Sequence, residues 1–517
     1  MEKMENKAVM LTFLSPYRGA DEESYCYVET KEYYQGKETN EAPSKCLLEQ
    51  ALKKGIRIEQ IFVLVSQMTF FQKEKEETTA FQAYQEMIKD YCEDKTEKSP
   101  EIIPIYYDFE MDENHEPKPV EDKEEQARRV FRQIADKLDF SQKNQSVYVE
   151  YTGGLRDISF LMVSIIRYLE FVGIRCEQIV YSQQAPLISR KPLKREGENQ
   201  IFDLRYIYDI YQLINGVNKF VTTGNADQLQ EFFSVHQKET KVQDVLSSMI
   251  EFSDAIGICD IWNINETLKK MITGIKTLQQ DQNTYDIYTE MFKQLIPTIK
   301  EKFKLIGKNL DSEQIEISFL DIIEWCVENG LLQQAVTIIE VALPQWYVEN
   351  HIFYYEKSEE KKLEDMYNQD RYSNHAEMPN YFFYAYLRNS SIIRGKEYKE
   401  VQGVSEKLKE LEQMYLKDTS FMEGLNWRPW SVEKTIGQSW VKCQIYTKDG
   451  PQRFDQLKVI NRLKPNEFTI LYTFHIYLKE QRNRLNHASK AENRLDYAKL
   501  KEGIGKYIAY LREVEKQ

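Results

Sequence analysis

The fold of this chain is decided by the stretch SVYVEYTGGLR at residues 146–156. Its first six residues form a short apolar run, which is typical of a strand buried inside a sheet. Its two glycines let the backbone turn tightly directly after that strand. Apolar residues then recur at helical spacing at Ile158, Leu161 and Ile165, so a helix is predicted to follow. A strand that passes through a glycine turn into a helix is typical of a parallel α/β sheet.

Other short apolar runs surround this unit in the first two hundred residues, with helical patterns between them. They lie at residues 8–14, 61–66, 102–107 and 178–182. Strands that alternate with helices predict parallel pairing and a doubly wound, Rossmann-like sheet. In such sheets ligands bind beyond the carboxyl ends of the strands. The fold class is therefore an N-terminal α/β domain.

The strand pattern fades after about residue 202, and the rest of the chain is predicted to be mostly α-helical. Helical patterns cover residues 256–278, 285–306 and 314–346, whereas the polar segment 357–379 is predicted to be a long loop. The predicted domains are residues 1–205, a helical connecting region at 206–325, and a C-terminal helical domain at 326–517.

Composition limits the class of protein. The apolar fraction of 42% supports packed globular domains, and a net charge of −14 argues against a general nucleic-acid coat protein. The seven cysteines form no Cys-x-x-Cys pair, so neither a zinc knuckle nor a disulfide framework is indicated. The most apolar long segment, residues 155–174, contains charged residues and is not suited to crossing a membrane. A soluble, cytoplasmic protein without a signal peptide is expected.

The loops that follow the predicted strands carry residues suited to binding phosphate. A helix N-terminus favours phosphate, Thr152 could cap that helix or donate to a phosphate oxygen, and Arg156 could add a charge-assisted bond. A plain glycine turn with a solvated arginine is the alternative. The loop after the first strand would reach the same edge, and the loop after the second is a third candidate wall. The candidate residues are Ser15, Tyr17, Arg18, Ser66, Gln67, Thr152, Gly153, Gly154, Leu155 and Arg156.

A second candidate site lies near the C-terminus, where Arg482 and Asn483 precede His487. A helix through this motif places Asn483 and His487, four residues apart, on one face. Arginine can hold a phosphate and histidine can move a proton near neutral pH, so the set suits RNA cleavage by attack of the ribose 2′-hydroxyl. Basic residues outnumber acidic ones between Lys479 and Lys506, although a surface helix of mixed charge would look similar. His475 lies among apolar residues and is interpreted as a packed core histidine.

Two of these motifs resemble those of a known family. The run VMLTFLS at residues 9–15 and the stretch VYVEYTGGLR at 147–156 are similar to signatures of the CARF domain, the CRISPR-associated Rossmann fold. Glu150 stands where that family often has Asp. Arg482 to His487 resembles the arginine–histidine motif of HEPN ribonucleases. The resemblance covers roughly residues 8–185 and 325–510, and the helices between match no family that we can name.

The resemblance implies a CARF–HEPN endoribonuclease of type III CRISPR antiviral defence. Such a protein is a homodimer that cleaves single-stranded RNA when a cyclic oligoadenylate binds, by family analogy cyclic tetra-adenylate first and cyclic hexa-adenylate second. No cofactor or metal is expected, and products would end in a 2′,3′-cyclic phosphate. His487 would act as general acid or base, Arg482 would stabilise charge on the phosphate, and Asn483 would orient either. Two alternatives stay open: a non-catalytic sensor that only dimerises, and a ring nuclease that degrades the cyclic oligoadenylate.

Overall fold

The chain divides into two compact units, residues 1–211 and residues 212–517. The predicted division into three domains stays a prediction. A computed structural model describes residues 6–16, 22–73, 78–95, 97–138, 145–153, 156–190, 193–236, 240–283, 285–303, 317–370, 378–382, 437–445, 447, 453–463, 471, 475, 478, 482 and 497–516. Within these ranges, none of the helices combines the length and apolar character needed to cross a membrane.

The first unit is built on one eight-stranded sheet with the strand order β3-β2-β12-β9-β8-β1-β4-β5. The strands of this unit are β1 (Asn6–Phe13), β2 (Glu23–Tyr27), β3 (Glu32–Gly36), β4 (Ile56–Val65), β5 (Glu101–Tyr106), β6 (Phe109–Met111), β7 (Pro117–Pro119), β8 (Ser146–Glu150), β9 (Arg175–Gln183), β10 (Leu187–Arg190), β11 (Leu193–Arg195) and β12 (Asn199–Asp203). The pairs β6–β7 and β10–β11 form separate antiparallel hairpins.

Five adjacent strands, β9-β8-β1-β4-β5, run parallel to one another. This confirms the predicted α/β fold, and each of the five predicted apolar runs coincides with one of these strands. Strand β1 lies in the middle, with β4 and β5 following on one side and β8 and β9 on the other. The strand order therefore reverses between β1 and β8. A crevice for a ligand is expected at the carboxyl ends of these two strands.

Helices cover both faces of this sheet. They are α1 (Glu41–Lys53), α2 (Gln67–Phe71), α3 (Ala80–Asp94), α4 (Lys123–Lys137), α5 (Arg156–Phe171) and the first turns of α6 (Arg205–Thr223). Leu47 of α1 and Ile88 of α3 belong to the apolar core on one face, whereas Ile134 of α4 and Ile165 of α5 belong to the core on the other. A sheet buried on both faces explains why its central strands are continuous apolar runs in the sequence.

The second unit is mostly helical, as predicted. Its further helices are α7 (Asp227–His236), α8 (Thr240–Gly257), α9 (Ile261–Gln280), α10 (Ile287–Phe303), α11 (Phe319–Glu328), α12 (Leu332–Glu349), α13 (Glu360–Gln369) and α14 (Tyr497–Glu515). It also contains an antiparallel sheet that the sequence pattern did not indicate. Its strands are β13 (Phe353–Tyr355), β14 (Gly437–Ile445) and β15 (Arg453–Asn461), with β15 in the middle.

Two local predictions for this unit are wrong. The predicted loop at 357–379 contains helix α13, because Leu363 and Met366 lie on one helical face and are fully buried. The predicted helix at 256–278 is interrupted before Ile261, where Asp260 caps α9 and its side chain accepts from the backbone N–H of Asn263. An aspartate at a helix N-cap satisfies an N–H group that has no partner within the helix.

Candidate functional site

The loops after β1 and β8 meet at the carboxyl edge of the sheet, where the strand order reverses. Gly153 has a φ of +83°, and a Cβ added there would lie 2.0 Å from Ser15 Oγ. Glycine is therefore required at this position for two reasons, the left-handed backbone and the close approach of Ser15. The structure brings together Ser15 and Gly153, two of the predicted ligand-binding residues. That they bind a ligand stays a prediction.

The side chain of Asn40, the residue before α1, is hydrogen-bonded to both of these loops. Its side-chain Nδ2 faces three acceptors: the backbone oxygens of Phe13 at 3.0 Å and Thr152 at 2.9 Å, and Glu150 Oε2 at 2.6 Å. Its Oδ1 accepts from the backbone N–H of Ser15 at 2.9 Å. Asn40 is 1% exposed, so these bonds are made out of contact with water. Since one amide, on the residue directly before α1, contacts both loops, a shift of either loop must disturb it.

The Glu150 carboxyl lies under the same edge and is fully buried. Its Oε2 accepts from Thr12 Oγ1 at 2.6 Å as well as from Asn40, and its Oε1 accepts from the backbone N–H of Thr152 at 2.7 Å. Burial raises the pKa of this carboxyl to about 7, although the hydrogen bonds from Thr12, Thr152 and Asn40 act in the opposite direction. The carboxyl with this raised pKa therefore lies directly behind the edge where the loops after β1 and β8 meet.

The Thr152 hydroxyl makes a different contact from the predicted helix cap. It is buried, it precedes α5 by several residues, and its Oγ1 accepts from the backbone N–H of Ser182 at 2.7 Å. The predicted helix-capping role of Thr152 is therefore wrong. Its hydroxyl links the end of β8 to the end of β9 and so stabilises the loop after β8 from its buried side.

Ser66 and Gln67 lie at the end of β4, one strand further along the same edge. The Ser66 hydroxyl caps the short helix α2 by accepting from the backbone N–H of Thr69 at 3.1 Å. The backbone N–H of Gln67 donates to Asp108 Oδ1 at 2.8 Å. The Ser66 hydroxyl and the Gln67 backbone N–H therefore already have partners in the protein, and their hydrogen bonds stabilise the local structure at the end of β4.

Several predicted site residues fall outside the described ranges. Tyr17, Arg18, Gly154 and Leu155 are among them, and Arg156 is described only as the first residue of α5. In the part of the chain that the structure describes, no three His, Cys, Asp or Glu side chains come together as a metal site.

Of the C-terminal motif, Arg482 is described, and Asn483 and His487 lie outside the described ranges. Arg482 Nε lies 3.1 Å from Glu340 Oε2 of α12, with 30% of the arginine side chain and 14% of the glutamate side chain exposed. The arginine is thus partly buried, and it is paired within the helical unit with a carboxylate that the sequence pattern did not identify. His475 is fully buried, which confirms its interpretation as a core histidine.

Sequence reasoning missed Asn40, Thr12 and Ser182, although the Asn40 side chain contacts the loops after both β1 and β8. One signal was present: Asn40 stands directly before Glu41 and a helical pattern, which is the preferred position of an asparagine N-cap. Its contacts with residues more than a hundred positions away could not be read from that signal.

Comparison with known protein families matches part of the chain. Residues 209–308, which span most of α6 and all of α7 to α10, match the family described as CRISPR-associated protein MJ1674, second domain. The match supports a CRISPR-associated protein. It also supports involvement in CRISPR defence, and it falls in the helices for which the sequence had suggested no family. No curated protein matches the chain.

Proposed function

We propose that this CRISPR-associated protein is a cyclic-oligoadenylate-activated ribonuclease, in which the N-terminal unit binds the ring and the helical unit cleaves single-stranded RNA. The observation that carries the proposal is the contact between Ser15 and Gly153 at the point where the strand order reverses. An open α/β sheet binds its ligand at this point, and an exposed glycine lets a phosphate approach the backbone closely.

The ligand class follows from the chain's CRISPR association and from its resemblance to CARF proteins. Cyclic tetra-adenylate is the first choice and cyclic hexa-adenylate the second. Two copies of the chain would share one ring, because a symmetric ring presents the same phosphate to each copy. Arg156 would add a charge-assisted bond to a phosphate, and Ser15 would line the same crevice.

The nuclease half of the proposal rests on Arg482, Asn483 and His487. Arg482 would stabilise the charge that develops on the phosphate, and His487 would move the proton of the ribose 2′-hydroxyl. The carboxylate of Glu340 lies within 3.1 Å of Arg482 and would fix the orientation of its guanidinium. The chemistry assigned to these residues calls for no metal ion.

The test is a cleavage assay with labelled single-stranded RNA and each cyclic oligoadenylate in turn, with EDTA present. We expect cleavage only when a ring is added, and products that end in a 2′,3′-cyclic phosphate. Arg482→Ala and His487→Ala should each abolish cleavage but keep ring binding. Lys270→Ala is the control, because it removes an exposed positive charge of the helical unit outside both the motif and the basic stretch that follows it.

Three outcomes would contradict the proposal. RNA cleavage at full rate in both motif variants would place the nuclease elsewhere. Ring binding without RNA cleavage would favour the non-catalytic sensor. Degradation of the cyclic oligoadenylate without RNA cleavage would favour the ring nuclease.

A further inference from the structure

Helix α12 contains two charged residues, and one of them, Glu340, lies beside Arg482 of the proposed nuclease motif. The other, Glu349, is nine positions further along, which places it on the opposite side of the helix, and it is exposed. Most of α12 is apolar and buried, including Ile339 directly before Glu340. A carboxylate in such surroundings is costly unless a positive charge compensates it. Arg482 supplies that charge from another segment of the helical unit.

This ion pair is close and largely withdrawn from water. Arg482 Nε lies 3.1 Å from Glu340 Oε2, and 14% of the glutamate side chain is exposed. The Nε and Oε2 atoms themselves are buried. Solvent screens such a pair less than an exposed one, and removal of either partner leaves a charge that is only partly solvated. The guanidinium of Arg482 is therefore held by an internal anion in this structure.

A phosphate of the RNA would need the same guanidinium. Arginine presents its N–H donors in a planar fork that suits a carboxylate and a phosphate alike. Two anions bound to one guanidinium lie roughly 6 Å apart, and at an effective dielectric constant of about 20 their repulsion weakens phosphate binding by roughly a hundredfold. Partial exposure of the pair to solvent reduces this to roughly tenfold. Glu340 and an RNA phosphate therefore compete for Arg482.

We infer that Glu340 is an autoinhibitory residue, whose carboxylate occupies in the resting protein the place on Arg482 that an RNA phosphate takes during cleavage. This inference rests on the proposed function. The orientation that Glu340 gives the guanidinium is then the resting one, and activation requires the pair to separate. A ring can cause this only by binding more tightly to the arrangement in which Glu340 has withdrawn. Helix α12 contacts α9 and α14, so a shift of either helix can move Glu340 away from Arg482.

The first test measures RNA cleavage by the full-length protein with no ring added. Glu340→Gln keeps the shape of the side chain and removes its charge, so ring-independent cleavage should rise at least roughly tenfold. Glu340→Asp keeps the charge but withdraws the carboxylate by one carbon, so it should give a smaller rise. Glu349→Gln is the matched control, because it makes the same chemical change on the exposed side of the same helix. It should leave cleavage unchanged.

Two results of this test would overturn the inference. Ring-independent cleavage that stays at the wild-type level in both Glu340 variants would show that the carboxylate does not restrain Arg482. A folded Glu340→Gln variant that has lost its ring-dependent cleavage would show that Glu340 only positions Arg482 for catalysis. If Glu340→Gln does not fold, the Glu340→Asp variant decides by the same measurement.

The second test measures binding of a labelled single-stranded DNA oligonucleotide with no ring added. DNA lacks the 2′-hydroxyl and cannot be cleaved by the proposed chemistry, so its affinity reports how available Arg482 is to a phosphate. Glu340→Gln should tighten this binding at least roughly tenfold. In an Arg482→Ala background the same substitution should lose most of that gain, because Glu340 acts through Arg482. An equal gain in both backgrounds would overturn the inference, since it would reflect only the loss of a negative charge near the oligonucleotide.

The two measurements separate this inference from the proposed function. Tighter oligonucleotide binding that depends on Arg482, in a protein that cleaves no RNA with any ring, would support the competition at Arg482 and overturn the nuclease. Ring-dependent cleavage in the wild type, with neither cleavage nor binding changed by Glu340→Gln, would overturn the role of Glu340 and leave the ring-activated ribonuclease standing.

Discussion

Gly153→Ala is the substitution whose effect can be worked out most fully from the structure. An alanine at φ +83° costs about 1–2 kcal/mol relative to glycine, because the Cβ crowds the backbone. Its Cβ would also lie 2.0 Å from Ser15 Oγ, whereas the next nearest atoms, Ser15 Cβ and Thr39 Cγ2, lie at 3.4 and 3.7 Å. Ser15 must therefore leave its present rotamer, which adds about 0.5–1.5 kcal/mol. The total is about 1.5–3.5 kcal/mol of lost stability in the N-terminal unit.

The chain supplies two matched controls. Gly173 also has a positive φ, +95°, but a Cβ there would have no atom within 4 Å, so Gly173→Ala should cost only the backbone part. Removing the Ser15 hydroxyl first should relieve the clash. In the Ser15→Ala background, Gly153→Ala should then cost about 1–2 kcal/mol, as at Gly173.

Native-state hydrogen exchange, read in peptides from β1, β8 and β9, measures the opening free energy of this unit in the full-length chain. The reasoning would be refuted if Gly153→Ala cost no more than Gly173→Ala, or if Ser15→Ala failed to recover the difference.

Three further outcomes are expected. Because burial raises the pKa of Glu150 to about 7, its protonated form stabilises the fold below about pH 4.5, and that contribution, about 3 kcal/mol, is lost as the pH rises through 7. The opening free energy measured by hydrogen exchange of β8 should therefore fall as the pH rises, and Glu150→Gln should remove this pH dependence. Asn40→Ala should cost about 3 kcal/mol in urea unfolding of the first unit, since the backbone N–H of Ser15 and two carbonyls lose a buried partner. Burial raises the pKa of the Cys259 thiol, whereas a hydrogen bond with Thr337 and, to a smaller extent, the charge of Arg482 lower it. Arg482→Ala should therefore leave less thiolate and slow the alkylation of Cys259 modestly, but Arg482→Lys, which keeps the charge, should not.

The central sheet could be predicted because its strands are buried on both faces. Each of β1, β4, β5, β8 and β9 is a short apolar run, and such runs are recognisable without any partner. The strands at the other edge, β2, β3 and β12, mix polar with apolar residues, and since none of them is a continuous apolar run they were missed. Helix α13 was missed because only two of its residues, Leu363 and Met366, are fully buried, and two such positions in a polar segment do not establish a helical period.

The candidate site was predictable only in part. Parallel strands place their carboxyl ends at one edge, so the meeting of the loops of Ser15 and Gly153 follows from the strand order alone. The role of Asn40 does not follow from strand order, because it depends on where α1 begins relative to β8, more than a hundred residues later. Glu150 shows the same limit. Its position in a strand pattern predicts burial, but not the donors that surround its carboxyl.

The bonds of Asn40 also set the free energy that a ligand must supply in order to move this edge. The Asn40 side chain contacts Phe13, Ser15, Glu150 and Thr152, and with two N–H groups and one accepting oxygen in use it makes the equivalent of about three full hydrogen bonds. At about 0.5–1.5 kcal/mol each they hold the edge by roughly 1.5–4.5 kcal/mol, which is several times the thermal energy. A ligand of micromolar affinity has about 8 kcal/mol of binding free energy. It can therefore rearrange the network if it binds the rearranged edge more tightly than the resting one. Asn40 is also the residue directly before α1. A ligand that displaces Ser15 must therefore either break its bond to Asn40 or move the start of that helix with it.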